Sequence, residues 1–89
     1  MQLKLFQPTV LLHAELESDS PKKAFWNIRL EYENGAYAVI KESGSAGRVL
    51  DARRWPHADY EAAMADYNRR LKQKLRPGRR SPRIYKKRG

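Results

Sequence analysis

The feature of this sequence that most constrains its fold is the pair Asn34-Gly35 between two segments of strand character. In segment 24–32, apolar side chains alternate with polar ones, at Trp26, Ile28, Leu30 and Tyr32. This period of two is typical of a strand with one buried face. Asn and Gly both tolerate positive φ, so the pair predicts a two-residue hairpin turn. The return strand then contains Tyr37, Val39 and Ile40.

Two further strands and one helix are predicted around this hairpin. Segment 10–17 alternates in the same way, and a turn-rich stretch at 19–23 follows it. The small residues of 43–47 predict a loop before a strand over 48–55, which we expect Pro56 to end. Asp59 is the expected N-cap of a helix that runs from Tyr60 to about Leu75, because its carboxylate can accept from free backbone N–H groups.

These elements together predict the α+β class, a small antiparallel sheet with one amphipathic helix packed across it. We expect an N-terminal segment over 1–9, the α+β domain over 10–78 and a basic C-terminal tail over 79–89. The tail is either disordered or docked as a short strand through Ile84 and Tyr85.

Length and composition exclude several classes of protein. A chain of 89 residues forms one small domain with a limited core. The absence of cysteine removes disulfides, thiol nucleophiles and cysteine zinc sites. No stretch approaches the roughly 18 apolar residues that a membrane span needs, and the first residues lack a signal-peptide pattern. We therefore expect a cytoplasmic protein.

The sequence offers little support for catalysis. His13 and His57 are far apart and have no acidic residue at metal-ligand spacing. No Gly-x-Ser-x-Gly motif occurs, and 43–47 lacks the Gly-Lys-Ser/Thr ending of a P-loop. Asp59, Glu61 and Asp66 are interpreted as acids that favour the N-terminal half of a helix. We expect no enzyme, no metal and no cofactor.

The positive charge is confined to one part of the chain. The formal net charge is +9, yet residues 1–47 hold five bases against six acids. Residues 48–89 hold fourteen bases against four acids, and from Arg69 onward there are eleven bases and no acid. A one-sided excess of this kind creates a field that attracts polyanions.

Arg and Lys neutralise phosphates and release condensed counterions, and Arg adds bidentate geometry. On the predicted helix, Arg69, Lys72 and Arg76 share one face, while Arg70 and Lys74 share a neighbouring face, and both faces are expected to point outward. Tyr85 is a candidate for base stacking, and Trp55 either covers the sheet–helix junction or stacks on a base. The predicted nucleic-acid contacts are Arg48, Arg53, Arg54, Arg69, Arg70, Lys72, Lys74, Arg76, Arg79, Arg80, Arg83 and Tyr85.

The order of these features resembles the WGR domain, which occurs in poly(ADP-ribose) polymerases and as small bacterial proteins. Phe25-Trp26 is similar to the motif that opens its second strand, segment 60–75 to its helix, and 74–79 to the Lys-x-x-x-Gly end that follows. The resemblance covers about residues 10–85.

The Trp-Gly-Arg-x-Gly motif that names this family aligns with segment 43–47, where Ser43 and Ser45 replace the Trp and the Arg. The family's downstream Gly-Gln pair is missing as well. In the family, that Trp and Arg contact DNA ends, so the resemblance implies the fold and not this contact. Arg48 is a candidate to stand in for the replaced arginine.

The leading hypothesis is a non-catalytic nucleic-acid-binding accessory module with mainly phosphate-backbone contacts and weak sequence specificity. DNA is favoured over RNA as its ligand, and the sequence leaves both open. The alternative is a protein–protein interaction adaptor whose basic tail binds an acidic partner. A third reading attaches the tail to an anionic membrane. The apolar stripe of the helix is needed for the core, which counts against a membrane partner. No small-molecule substrate is expected.

Overall fold

The computed structural model of the protein describes residues 8–18 and 23–75, and the backbone of 85–87. One antiparallel sheet has the strand order β4-β3-β2-β1-β5, and helix α1 packs across it on β2, β3 and β4. The predicted α+β class is confirmed. The elements are β1 (Thr9–Ser18), β2 (Ala24–Glu33), β3 (Ala36–Ser45), β4 (Arg48–His57), α1 (Tyr60–Leu75) and β5 (Tyr85–Lys87).

Two tight turns connect β2 to β3 and β3 to β4. Asn34 and Gly35 have φ of 53° and 81°, which confirms the predicted hairpin and makes the turn type I′. Ala46 and Gly47 repeat this geometry with φ of 52° and 80°. The predicted loop over 43–47 is therefore wrong, because β3 continues through Ser45 and the turn takes only two residues.

Gly44 allows β3 to continue where a loop was predicted. The pairing register between β3 and β4 shifts between Ser43 and Gly44, as in a β-bulge. A Cβ atom at Gly44 would lie 1.7 Å from the carbonyl oxygen of Arg48. The strands approach this closely only because residue 44 has no side chain.

The predicted end of β4 at Pro56 is also wrong, since the strand continues to His57. Among the described strands, β4 lies at one edge of the sheet and pairs only with β3. Proline is tolerated in an edge strand, where its missing N–H need not remove a bond from the ladder. The continuation places Trp55 and His57 on the side of the sheet that α1 covers, opposite Val39 and Tyr37 respectively.

The core lies between α1 and the covered face of the sheet. The alternation predicted for β2 is confirmed from Trp26 to Leu30, whereas Tyr32 is 38% exposed and packs on Tyr37 with ring centroids 5.0 Å apart. Each large side chain buried here contributes about 1.5–3 kcal/mol. The core residues are Leu16, Ala24, Trp26, Ile28, Leu30, Val39, Ala63 and Tyr67.

Helix α1 begins and ends at opposite ends of the strands. Asp59 Oδ1 accepts from the backbone N–H of Ala62 at 2.8 Å, which confirms the predicted N-cap. The ring of Tyr60, in the first turn, lies 5.8 Å from that of Tyr37, beside the β2–β3 turn. The basic second half of α1 therefore lies toward the β3–β4 turn. Within the described ranges, no helix is long and apolar enough to cross a membrane.

Candidate nucleic-acid interface

The second half of α1 borders a groove above β3 and β4, which we call the α1–β4 groove. Its volume is about 390 Å³. The antiparallel register pairs Lys41 with Arg53, and two residues along each strand it pairs Val39 with Trp55. Because side chains two residues apart in a strand point to the same side, both pairs lie on the same face of the sheet. The side chains that define the groove are Lys41, Arg53, Arg70 and Lys74, with Trp26 and Trp55 among them. These are the only two tryptophans of the chain.

Arg70 lies over Trp55. Its guanidinium carbon is 3.3 Å from the centroid of the indole ring. This separation favours a stacked over an edge-on arrangement, because an edge-on guanidinium would push a nitrogen into the ring. Arg70 Nε donates to Asp66 Oδ1 at 2.7 Å. Two contacts therefore fix the guanidinium, one with the ring and one with the carboxylate.

The expectation that Arg70 and Lys74 point outward is wrong. Both are partly buried, and Lys74 Nζ lies 5.6 Å from the centroid of the Trp26 ring. Long basic side chains can cover an apolar surface with their methylene stems while the charged group stays near water. This arrangement brings the two cations to the groove and away from the outer surface of the helix.

Asp66 contacts residues of the candidate site, a role that the sequence interpretation did not assign to it. It is only 7% exposed and lies in the middle of α1, so it is not an acid of the first turn. Its Oδ1 accepts from Arg69 and Arg70 at 2.8 and 2.7 Å, and its Oδ2 accepts from His57 Nε2 at 2.8 Å. Arg69 and Arg70 follow Asp66 by three and four residues, a spacing that brings side chains together on a helix surface. This spacing is the sequence feature that predicts the pairing.

The environment of Asp66 favours its ionised form. Burial raises the pKa of the carboxyl, but the hydrogen bond with His57 and the charge and hydrogen bond of Arg70 outweigh burial, so the pKa lies below its ordinary value of 3.8. Asp66 is therefore a carboxylate at neutral pH. It joins β4 to α1 through His57 and holds Arg70 in place.

Asp51 has a similar role on the strand side of the groove. Lys41 Nζ donates to Asp51 Oδ2, and Arg53 Nε lies 3.8 Å from the same oxygen. The hydrogen bond from Lys41 lowers the pKa of Asp51. Among the described residues that line the groove, Asp51 is the single acid against four cations. It contacts both Lys41 and Arg53, and the groove keeps a net positive charge.

A scan against family models finds no match for this chain, and searches of curated proteins and of solved structures find none. The WGR resemblance therefore stays a prediction. In the part of the chain that the structure describes, no group of three His, Asp or Glu side chains could hold a metal ion.

The structure separates the three arginines of β4. Arg53 lines the groove, whereas Arg54 lies on the opposite face of the sheet, where its Nη1 is 4.0 Å from Glu31 Oε1. Arg48 is exposed at the β3–β4 turn, paired in register with Ser45. These arginines do not form a single patch.

The remaining predicted contacts divide into three groups. Arg69 and Lys72 are exposed on α1 and line a second cavity with Leu71 and Leu75, outside the groove. Tyr85 begins β5 and pairs in register with Ser18. The other four predicted contacts, Arg76, Arg79, Arg80 and Arg83, lie outside the described residues.

The α1–β4 groove combines two kinds of recognition. Guanidinium and ammonium groups donate to phosphate oxygens, with the stronger hydrogen bonds that charged partners make. The guanidinium plane of Arg70, which lies on Trp55, offers a flat surface for a planar ligand. The arrangement is chemically suited to an anion that carries an aromatic group.

Proposed function

We propose that the protein is a non-catalytic nucleic-acid-binding module of the cytoplasm, which contacts mainly the phosphate backbone of DNA and has weak sequence specificity. The observation that carries this proposal is the α1–β4 groove, in which Lys41, Arg53, Arg70 and Lys74 surround two tryptophans. Phosphate contacts supply most of the affinity of such modules and carry no sequence information directly.

The opposite face of the sheet supports the proposal by its contrasting charge. Side chains alternate along each strand, so this face carries Glu15, Glu42 and the buried Glu31, which the register places on three adjacent strands. Among the described residues of β1–β4, five glutamates point this way against two arginines. This part of the sheet, acidic on one face and basic at the groove on the other, favours approach to a polyanion through the groove.

Salt dependence of binding tests the proposal. A fluorescently labelled duplex is titrated with protein at several NaCl concentrations, and the affinity is read by anisotropy. If about five phosphates are neutralised, the logarithm of the association constant falls with the logarithm of salt concentration at a slope of about −4 to −5. Weak binding that is the same at low and high salt would contradict the proposal.

The second candidate function is a protein-interaction adaptor, which the edge strand β4 favours. Near its start, Val49 and Leu50 are 53% and 67% exposed. An exposed strand edge is a surface on which another chain can add a strand. Protein purified without nuclease separates the two functions by its ultraviolet absorbance ratio. Co-purified nucleic acid supports the first function, whereas a clean sample that elutes as a larger complex supports the second.

A further inference from the structure

The small size and concave shape of the α1–β4 groove favour a flexible strand of nucleic acid over a rigid one. A volume of about 390 Å³ lies within the range of about 300–1,000 Å³ that small-molecule sites occupy. It is large enough for one nucleotide but cannot enclose a double helix, whose phosphates would contact the cations of the groove only from outside. A single strand can turn one base out into such a site, whereas the bases of a duplex remain stacked on their neighbours.

We propose that the α1–β4 groove binds single-stranded nucleic acid, with one base stacked on the guanidinium of Arg70 and the adjoining phosphate held by Lys41 and Arg53. This inference rests on the proposed function and narrows its substrate class.

The stack of Arg70 on Trp55 is the first support. A guanidinium plane accepts a nucleobase as an aromatic ring does. The inner side of this plane is occupied by Trp55 at 3.3 Å, and Arg70 also lines the groove with a side chain that is 24% exposed. A base on the outer side would complete a three-layer stack of indole, guanidinium and base.

The order of Arg70 in the free protein is the second support. Its contacts with Asp66 and Trp55 exist before any ligand binds. Holding the side chain in one rotamer in advance lowers the entropy lost on binding. Arg69, which contacts the same carboxylate, has a side chain 57% exposed and lies outside the groove.

The phosphate contacts are the third support. Lys41 and Arg53 lie opposite each other on adjacent strands, and Asp51 links them. The guanidinium of Arg53 can bind two phosphate oxygens, and the ammonium of Lys41 adds a point charge. Lys74 supplies a cation on the helix wall of the same groove. A phosphodiester linked to the stacked base would therefore meet cations from both walls.

Two matched variants test the inference, Arg70→Lys and Arg69→Lys. Both keep their charge and a donor for Asp66, but only the first removes the stacking plane from the groove. The probes are a short oligothymidylate and a duplex of mixed sequence, each titrated into unlabelled protein. The readouts are affinity and tryptophan emission, which reports on the groove because both tryptophans line it.

The oligothymidylate should quench the emission of the unmodified protein. Arg70→Lys should weaken oligothymidylate binding about tenfold, as expected for loss of one stacked base, and change duplex binding little. Arg69→Lys should change the affinity for either probe by no more than about twofold. Arg53→Gln, an exposed change that leaves the core intact, should weaken oligothymidylate binding and leave the quenching at saturation.

The outcomes separate the inference from the function on which it rests. If Arg70→Lys matches the unmodified protein in affinity and quenching, the stacking contact is wrong. If both probes bind without any change in tryptophan emission, the groove is not the binding site, and the proposed function still stands. If neither probe binds at low salt, both proposals are wrong.

Discussion

The guanidinium of Arg70 and the indole of Trp55 form a stacked pair, with 3.3 Å between the guanidinium carbon and the ring centroid. The pair joins the helix to the edge strand of the sheet at a position where both contribute to one groove. Its geometry depends on Asp66, which accepts from Arg70 on one oxygen and from His57 on the other. The Asp66 carboxylate therefore both joins α1 to His57 of β4 and holds Arg70 at the candidate site.

Replacement of Asp66 by Asn should lower the free energy of unfolding by about 1–3 kcal/mol, because a buried ionised acceptor with three charged or polar donors is lost. Urea denaturation at neutral pH measures the change. Asp59→Asn is the matched control, since Asn also caps a helix and the stability should hardly change. Equal losses in the two variants would show that the contacts of Asp66 contribute no more than the cap.

The low pKa of Asp66 predicts a loss of stability in acid. Its pKa in the folded protein lies below the unfolded value of 3.8, so the stabilisation it provides is fully present above about pH 4 and is lost as the pH falls through the folded pKa. Denaturant midpoints measured from neutral pH down into this range should fall. Asp66→Asn should show a shallower fall, and the difference between the two curves isolates Asp66 from the other acids. Parallel curves would contradict this.

Arg53 and Arg54 allow a test with neighbouring residues on opposite faces of β4. Arg53→Gln should weaken nucleic-acid binding several-fold and reduce the magnitude of the salt slope by about 1, the value for one lost phosphate contact. Arg54→Gln removes the same formal charge from the acidic face, and it should change the affinity and the salt slope much less. Anisotropy titrations at several salt concentrations measure both, and similar effects in the two variants would place the site elsewhere.

Gly44→Ala should destabilise the fold by about 3 kcal/mol, since the new methyl group would overlap the Arg48 carbonyl and force the strands apart. Gly35→Ala is the comparison. Its φ of 81° is strained for alanine, yet nothing lies within 4 Å of the added Cβ, so the loss should be about 1 kcal/mol. Thermal and urea denaturation rank the two variants. A smaller effect at Gly44 would mean that β4 moves aside without cost.

The sequence was sufficient for features that depend on neighbouring residues in the chain. The alternation of β2, the Asn34-Gly35 turn and the Asp59 cap are all confirmed, because each follows from local conformational preference or period. The continuation of β3 through Gly44 was missed, because it depends on the approach of Arg48 from the partner strand.

The candidate site was predicted only in part for the same reason. The basic residues were predicted as phosphate contacts from their type, and that assignment stays a prediction. Whether Arg70 points outward depends on what lies beneath it. The sequence does not show that β4 brings Trp55 and His57 under α1, because these contacts join separate elements of the fold.

The close approach at Gly44 has an evolutionary consequence. A position where only a hydrogen atom fits on Cα is costly to change, whereas exposed charged residues away from such contacts tolerate substitution. Distant relatives of this chain should therefore retain the spacing between Asn34-Gly35, Gly44 and Ala46-Gly47 after their charged residues have diverged. That spacing, more than the basic composition, is the signature by which such relatives can be recognised.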